Sequence, residues 1–155
     1  THSKWAEIRQ GRITRFASFM TGEVYGLLRN DSILARLAEA PSEADTAEGA
    51  ARGRAAAGRP GGLLNTAFAA RTEVLAGRMA GGAVGPYLSA LLVGQEIAGA
   101  EALFGKGHEI HLVADGVLAE SYGAGLRARN HPVQVVSPEA AFVAGVRRLA
   151  TDLAA

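Results

Sequence analysis

Two short stretches carry residue types that could hold an anion. The first is Thr1-His2-Ser3-Lys4-Trp5, where a hydroxyl, an imidazole, a second hydroxyl and an ammonium stand side by side at the start of strand-like sequence. Hydroxyls donate to phosphate oxygens, and a lysine adds charge without imposing a fixed geometry. A polar strand start open to water would carry the same residues, so residue types leave both uses open. The second stretch is Ala114-Asp115-Gly116, between a strand-like and a helix-like run. Glycine there lets a ligand approach the main chain, and a helix N-terminus favours negative charge. The plainer alternative has Asp115 capping the helix and Gly116 permitting the turn. What the two edges imply depends on whether they face one ligand.

Other constellations are weaker. Ala114-Asp115-Gly116 lacks the second and third glycines of a dinucleotide turn, and Gly123 and Gly125 fall inside the following helix. The histidines at 2, 108, 111 and 131 do not stand at metal-ligand spacing. On a strand, His108 and His111 point to opposite faces, which argues against a zinc site. The chain has no cysteine, which excludes disulfides, thiolate metal sites and a Cys nucleophile, and fits a reducing cytoplasm. Glu96 is an acid on an otherwise apolar helix, a position where acids are paired or peripheral. Arg147-Arg148 reads as a solvated face.

The elements that must position these residues begin with two strands, Lys4–Arg9 and Arg12–Phe19, joined by Gln10-Gly11. Glycine in so short a connection supplies the positive φ of a tight hairpin. The second strand alternates imperfectly, so its register is not fixed by pattern. Thr21 is expected to cap a helix starting at Gly22, with Glu23 in its first turn. A second short helix follows through Ile33, Leu34 and Leu37, capped by Asp31 or Ser32. Asp45–Gly58 is alanine-rich with glycines, a helix that either packs very closely or is marginally held. Arg59-Pro60-Gly61-Gly62 breaks it, as a loop within one helical stretch. Leu63, Leu64, Ala67, Phe68, Val74, Leu75 and Met79 then recur at helical spacing. Tyr87–Phe104 should be a buried helix, with Gly94 and Gly99 admitting a neighbouring backbone; the same apolar surface could serve a homodimer.

The last third reads strand Glu109–Ala114, helix Val117–Arg129, strand Pro132–Val136 and helix Pro138–Leu153, the last capped by Ser137. Phe142, Val143, Val146, Leu149 and Leu153 give it a stripe expected to be buried. Strand, helix, strand is a βαβ unit with parallel strands. The expected architecture is α/β: one mixed sheet from an N-terminal antiparallel hairpin and a C-terminal βαβ unit, with a large helical insert.

At 155 residues the chain fits a single domain with a real core. A net charge of +1 gives no argument for nucleic acid or an anionic membrane. No apolar run reaches the ~18 residues of a membrane span, and the polar start is no signal peptide. Without an initial Met, and opening directly on a strand, the chain is expected to be part of a longer polypeptide.

The run Thr1-His2-Ser3-Lys4-Trp5, then Met20-Thr21-Gly22-Glu23 with Leu27-Leu28, then Ser32-Ile33-Leu34, resembles the 2-dehydro-3-deoxygalactonokinase family. Leu88-Ser89-Ala90-Leu91-Leu92-Val93-Gly94-Gln95-Glu96 and Leu112-Val113-Ala114, with Leu118 and Tyr122, are similar to its later segments. The likeness covers essentially the whole chain as the C-terminal half of such a kinase. It implies a ribonuclease H-like (actin-like, hexokinase-like) lobe, one of two that close on ATP, Mg²⁺ and a sugar acid. Thr1, His2, Ser3 and Lys4 would then form the second phosphate-binding loop, and Asp115, Gly116 and Leu118 the adenosine edge. The family usually has glycine where Asp115 stands; either Gly116 takes that role or the adenine contact differs. Glu23 would reach the sugar acid's hydroxyls or, alternatively, serve only the helix dipole. The first phosphate loop and the catalytic base would lie in the N-terminal lobe, so no base is assigned in this chain. The implied activity is phosphorylation of 2-dehydro-3-deoxy-D-galactonate by ATP, and the chain alone should be inactive. A non-catalytic actin-like lobe, for sensing or assembly, is the alternative.

Overall fold

The structure, a computed structural model, describes residues 2–153. Thr1 lies outside them. The chain divides after Gly105 into two compact units.

The first unit opens with strands β1 (Ser3–Arg9) and β2 (Arg12–Phe19), paired antiparallel. Gln10 and Gly11 both have positive φ, 51° and 73°, so the turn demands more than the one glycine suggested. The irregular pattern of β2 has a physical cause. Pairing shifts between Glu7↔Arg15 and Ile8↔Ile13, leaving Thr14 as a bulge. The Thr14 hydroxyl donates to the Glu7 carboxylate at 2.8 Å. Hydrogen bonds from Arg9 first and Thr14 second hold the Glu7 carboxyl below its ordinary pKa.

Helix α1 (Thr21–Asn30) follows, then a 3-10 turn at Ala35–Leu37 where a short helix was expected from Ile33. Ser32 bridges the turn, donating to the Leu28 carbonyl at 2.6 Å and accepting from the Leu34 N–H at 3.0 Å. Helix α2 (Glu43–Ala57) starts on a capping box, in which Ser42 and Asp45 satisfy each other's backbone N–H groups. Gly61, at φ 101°, turns the chain into α3 (Gly62–Leu75), so the Arg59–Gly62 break is a loop within the helical stretch.

Helix α4 (Val84–Phe104) is the core of this unit, with Leu88, Leu91 and Ile97 fully buried. Within this chain its apolar surface serves the core, as expected. Its first half packs on α2 through glycines. A Cβ on Gly49 would collide with the Ala83 carbonyl, and one on Gly53 with the Tyr87 carbonyl. Small residues thus let α2 pack closely, which settles the alternative left by its composition. Tyr87 also donates to the Thr66 carbonyl at 2.7 Å, tying α4 to α3, and burial pushes its phenol pKa up.

The second half of α4 receives the hairpin. Glu96, Gly99 and Leu103 lie on one helical face. Glu96 takes hydrogen bonds from β1, Gly99 lies against the Phe19 ring, and the Leu103 carbonyl accepts from Arg15. The Arg15 guanidinium also sits 5.1 Å from the centre of the Phe104 ring.

The second unit has β3 (Ile110–Val113) and β4 (Val133–Val136), parallel as expected, with α5 (Gly116–Ala128) as the crossover. Helix α6 (Pro138–Leu153) starts where Ser137 accepts from the Ala140 N–H at 3.0 Å. Its stripe is not buried: Phe142 is 72% and Leu149 63% exposed, and Val143 and Val146 are exposed too. Strands β3 and β4 pack on α5 more than on α6, and they too leave Val113 and Val135 exposed. The Leu153 side chain lies outside the described residues.

The α/β class holds, but the single mixed sheet does not. Among the described residues, the first unit carries one antiparallel pair and the second unit one parallel pair.

Candidate functional site

The first candidate edge is the start of β1. Side chains alternate along a strand, and here Ser3 and Trp5 turn towards α4 while Lys4 is exposed. The Ser3 hydroxyl donates to Glu96 Oε1 at 2.6 Å, and the Trp5 indole N–H donates to the same oxygen at 2.7 Å. Thr21, the first residue of α1, donates to Glu96 Oε2. The sequence expectation for Thr21 is therefore corrected. It is not the helix cap; Met20 holds that place without a side-chain hydrogen bond, and the Thr21 hydroxyl serves a buried acid instead.

Glu96 is only 3% exposed. Its helix position predicts a paired acid, but its partners could not be read from spacing, because they lie 75 to 93 residues away. On the solvent side, His2 Nε2 meets Glu23 Oε2 at 2.6 Å, with both side chains about half exposed. The structure thus brings His2, Ser3, Lys4 and Glu23 to one edge, although Ser3's single O–H is directed inwards. Thr1, the fourth residue expected in the phosphate loop, lies outside the described residues. What this edge presents to an anion is the Lys4 ammonium and the His2 imidazole, with the Glu23 carboxylate competing for the latter.

The second candidate edge follows β3. Asp115 has the extended backbone of an N-cap, φ −134° and ψ 171°, but its side chain makes no capping hydrogen bond. The plain capping role is not what this side chain performs. Gly116 has φ +49°, a conformation that side chains disfavour. Around this corner Val113, Val117 and Leu118 are exposed by more than half, giving an apolar rim beside an acid and a helix start.

Sequence reasoning missed one further feature of the first unit, an open apolar hollow. Val24, Leu28, Ile33, Leu34, Leu63 and Phe68 line it. Helical periodicity finds these residues but cannot say which side of α3 is left uncovered.

Comparison with known proteins gives these edges a context. The family model for 2-keto-3-deoxy-galactonokinase matches residues 1–149. The chain belongs to this family. It is 30% identical over 154 residues to the 2-dehydro-3-deoxygalactonokinase of Escherichia coli (strain K12), covering 99% of this chain and 52% of that protein. A Rhizobium meliloti (strain 1021) protein named probable 2-dehydro-3-deoxygalactonokinase DgoK1 is 34% identical over 151 residues, 94% of this chain and 48% of the relative. Among solved structures, a candidate 2-dehydro-3-deoxygalactonokinase from Sinorhizobium meliloti superposes with a TM-score of 0.76 at 28% identity. That match covers 96% of this chain and 49% of the other. The chain therefore spans about half the length of the family members it matches.

Proposed function

We propose that this chain is the C-terminal, ATP-binding lobe of a two-lobed kinase that phosphorylates 2-dehydro-3-deoxy-D-galactonate. The observation that carries the reading is the family match across residues 1–149, together with relatives about twice as long. We read the lobe as ribonuclease H-like and its place of work as the cytoplasm.

Within that reading, the Thr1–Lys4 segment binds the nucleotide phosphates, with His2 and Lys4 facing the ligand and Ser3 anchoring the strand start through Glu96. Lys4 suits the role: its exposed ammonium offers three donors and a charge, and its strand start is anchored through Ser3 and Trp5. Asp115, Gly116 and Leu118 form the adenosine edge. The exposed Val117 and Leu118 give a base an apolar face, and the positive φ of Gly116 suits close approach of a ligand to the main chain. Glu23 contacts the sugar acid only if it leaves His2, so its present pairing ranks it below the phosphate residues.

Mg²⁺, when bound with ATP, neutralises charge on the transferring phosphoryl group. The described residues form no group of three or more His, Cys, Asp or Glu able to hold a metal ion. No residue of this chain is therefore assigned as its ligand. The chain's own residues bind and orient phosphate oxygens, and the base that deprotonates the sugar hydroxyl belongs to the other lobe.

The test is sugar-acid-dependent ADP release by the full-length polypeptide carrying this chain. Turnover is expected with 2-dehydro-3-deoxygalactonate, and none from residues 1–155 alone. No ADP release across related sugar acids would favour a non-catalytic actin-like lobe. Lys4→Ala in the full-length protein should lower kcat/KM for ATP about 10- to 100-fold, the range for a hydrogen bond to a charged group. An unchanged kcat/KM would remove Lys4 from the phosphate site.

A further inference from the structure

We infer that Glu96 is a positioning residue for the anion-binding edge, acting through Ser3, Trp5 and Thr21 and never touching the ligand. The inference rests on the kinase reading and extends it to a residue buried behind the site. Glu96 is 3% exposed, and its carboxylate joins three points of the chain. Oε1 accepts from the Ser3 hydroxyl and the Trp5 indole, at 2.6 and 2.7 Å, while Oε2 accepts from the Thr21 hydroxyl.

The consequence for Lys4 is geometric. Successive strand residues face opposite ways, so fastening Ser3 and Trp5 inwards fixes Lys4 outwards. Fastening Thr21 to the same carboxylate sets the start of α1, which carries Glu23, the partner of His2. One side chain of α4 therefore holds the strand start and the helix start that together make this edge. Its platform is closely packed, because the other half of α4 lies directly against the glycines of α2. Removing the carboxylate would leave two hydroxyls and an indole N–H without this shared acceptor, and the strand start would lose the constraint that aims Lys4.

The experiment uses the full-length kinase and compares Glu96→Leu, Glu96→Gln and Tyr87→Phe. Glu96→Leu should raise the KM for ATP by up to about 10-fold, less than loss of the Lys4 contact itself, because it misplaces the ammonium rather than removing it. The KM for the sugar acid should rise much less, since Glu23 on α1 is held by His2. Glu96→Gln keeps a carbonyl oxygen for Ser3 and Trp5 and should recover most of that rise. Tyr87→Phe removes a buried hydrogen bond elsewhere on α4, so it should lower stability without moving the KM for ATP. The indole N–H resonance that vanishes in Trp5→Phe gives an independent signal. It should shift in Glu96→Leu and hold nearly constant in Glu96→Gln.

An unchanged KM for ATP in Glu96→Leu overturns the inference. So does a rise shared equally by both substrates and by Tyr87→Phe, the pattern of a merely structural residue. If Glu96→Leu does not fold, Thr21→Val replaces it, with a smaller rise in the same direction expected and no rise counting against. A parent protein that fails to use ATP sinks the kinase reading itself, before any variant is made.

Discussion

Asp45 shows how a single side chain reports on folding through its proton. Hydrogen bonds from the Ser42 hydroxyl and N–H hold its carboxyl below its ordinary pKa, and Arg78 does the same to Glu73. A carboxyl depressed in the folded state adds stability above its unfolded pKa and loses it as pH falls through the folded one. The melting temperature should therefore drop as pH falls from about 5 to 2. Asp45→Asn should be less stable than the parent at neutral pH and nearly equal to it at the acid end. A constant gap, measured by circular dichroism at each pH, would contradict the linkage. The Ser42–Asp45 capping box was missed, because the alanine-rich run drew the expected helix start to Asp45. Thr21 was the opposite case. Its residue type fits a cap, and only the folded position of Glu96 shows that its hydroxyl goes elsewhere.

Among elements, α2 gives the sharpest contrast between two glycines in helices. Gly53 is pressed against the main chain of α4, whereas nothing lies within 4 Å of a Cβ placed on Gly26 in α1. Gly53→Ala should cost about 1–3 kcal/mol by overpacking, lowering the melting temperature by about 2–4 °C per kcal/mol. Gly26→Ala should instead add about 0.5–1 kcal/mol, through reduced chain entropy and better helix propensity. Thermal melts of the two variants should move in opposite directions. Periodicity and breakers located nearly every helix, because both are local signals. The β2 register escaped them because a bulge at Thr14 resets the alternation halfway along the strand. The α6 stripe was correctly found and wrongly buried, since pattern reveals an apolar face but not what covers it.

At the scale of the whole molecule, order along the chain was readable and coverage was not. Hairpin, helical insert and βαβ unit appear in the expected sequence, with one strand pair in each unit among the described residues. Both candidate edges were visible as residue types. Their support was not, because Glu96 meets its donors only after long-range packing. Phe142, Val146 and Leu149 on α6 leave apolar surface exposed in the chain by itself. The isolated 155 residues should bind an apolar dye such as anilinonaphthalene sulfonate and associate as concentration rises. Phe142→Ser combined with Leu149→Ser should weaken both effects, measured by dye fluorescence and sedimentation. Equal dye binding by parent and variant would place the sticky surface elsewhere.

The contact of α2 with α4 also bears on how this sequence can drift. Glycine is the smallest residue there is, so at positions 49 and 53 every available replacement adds bulk against a main-chain carbonyl. A crevice lined by larger side chains can trade volume between neighbours and pass through near-neutral intermediates. This one has nothing left to give. In a saturation library selected for function, positions 49 and 53 should fall silent together, while Gly26 and Gly58 accept most substitutions.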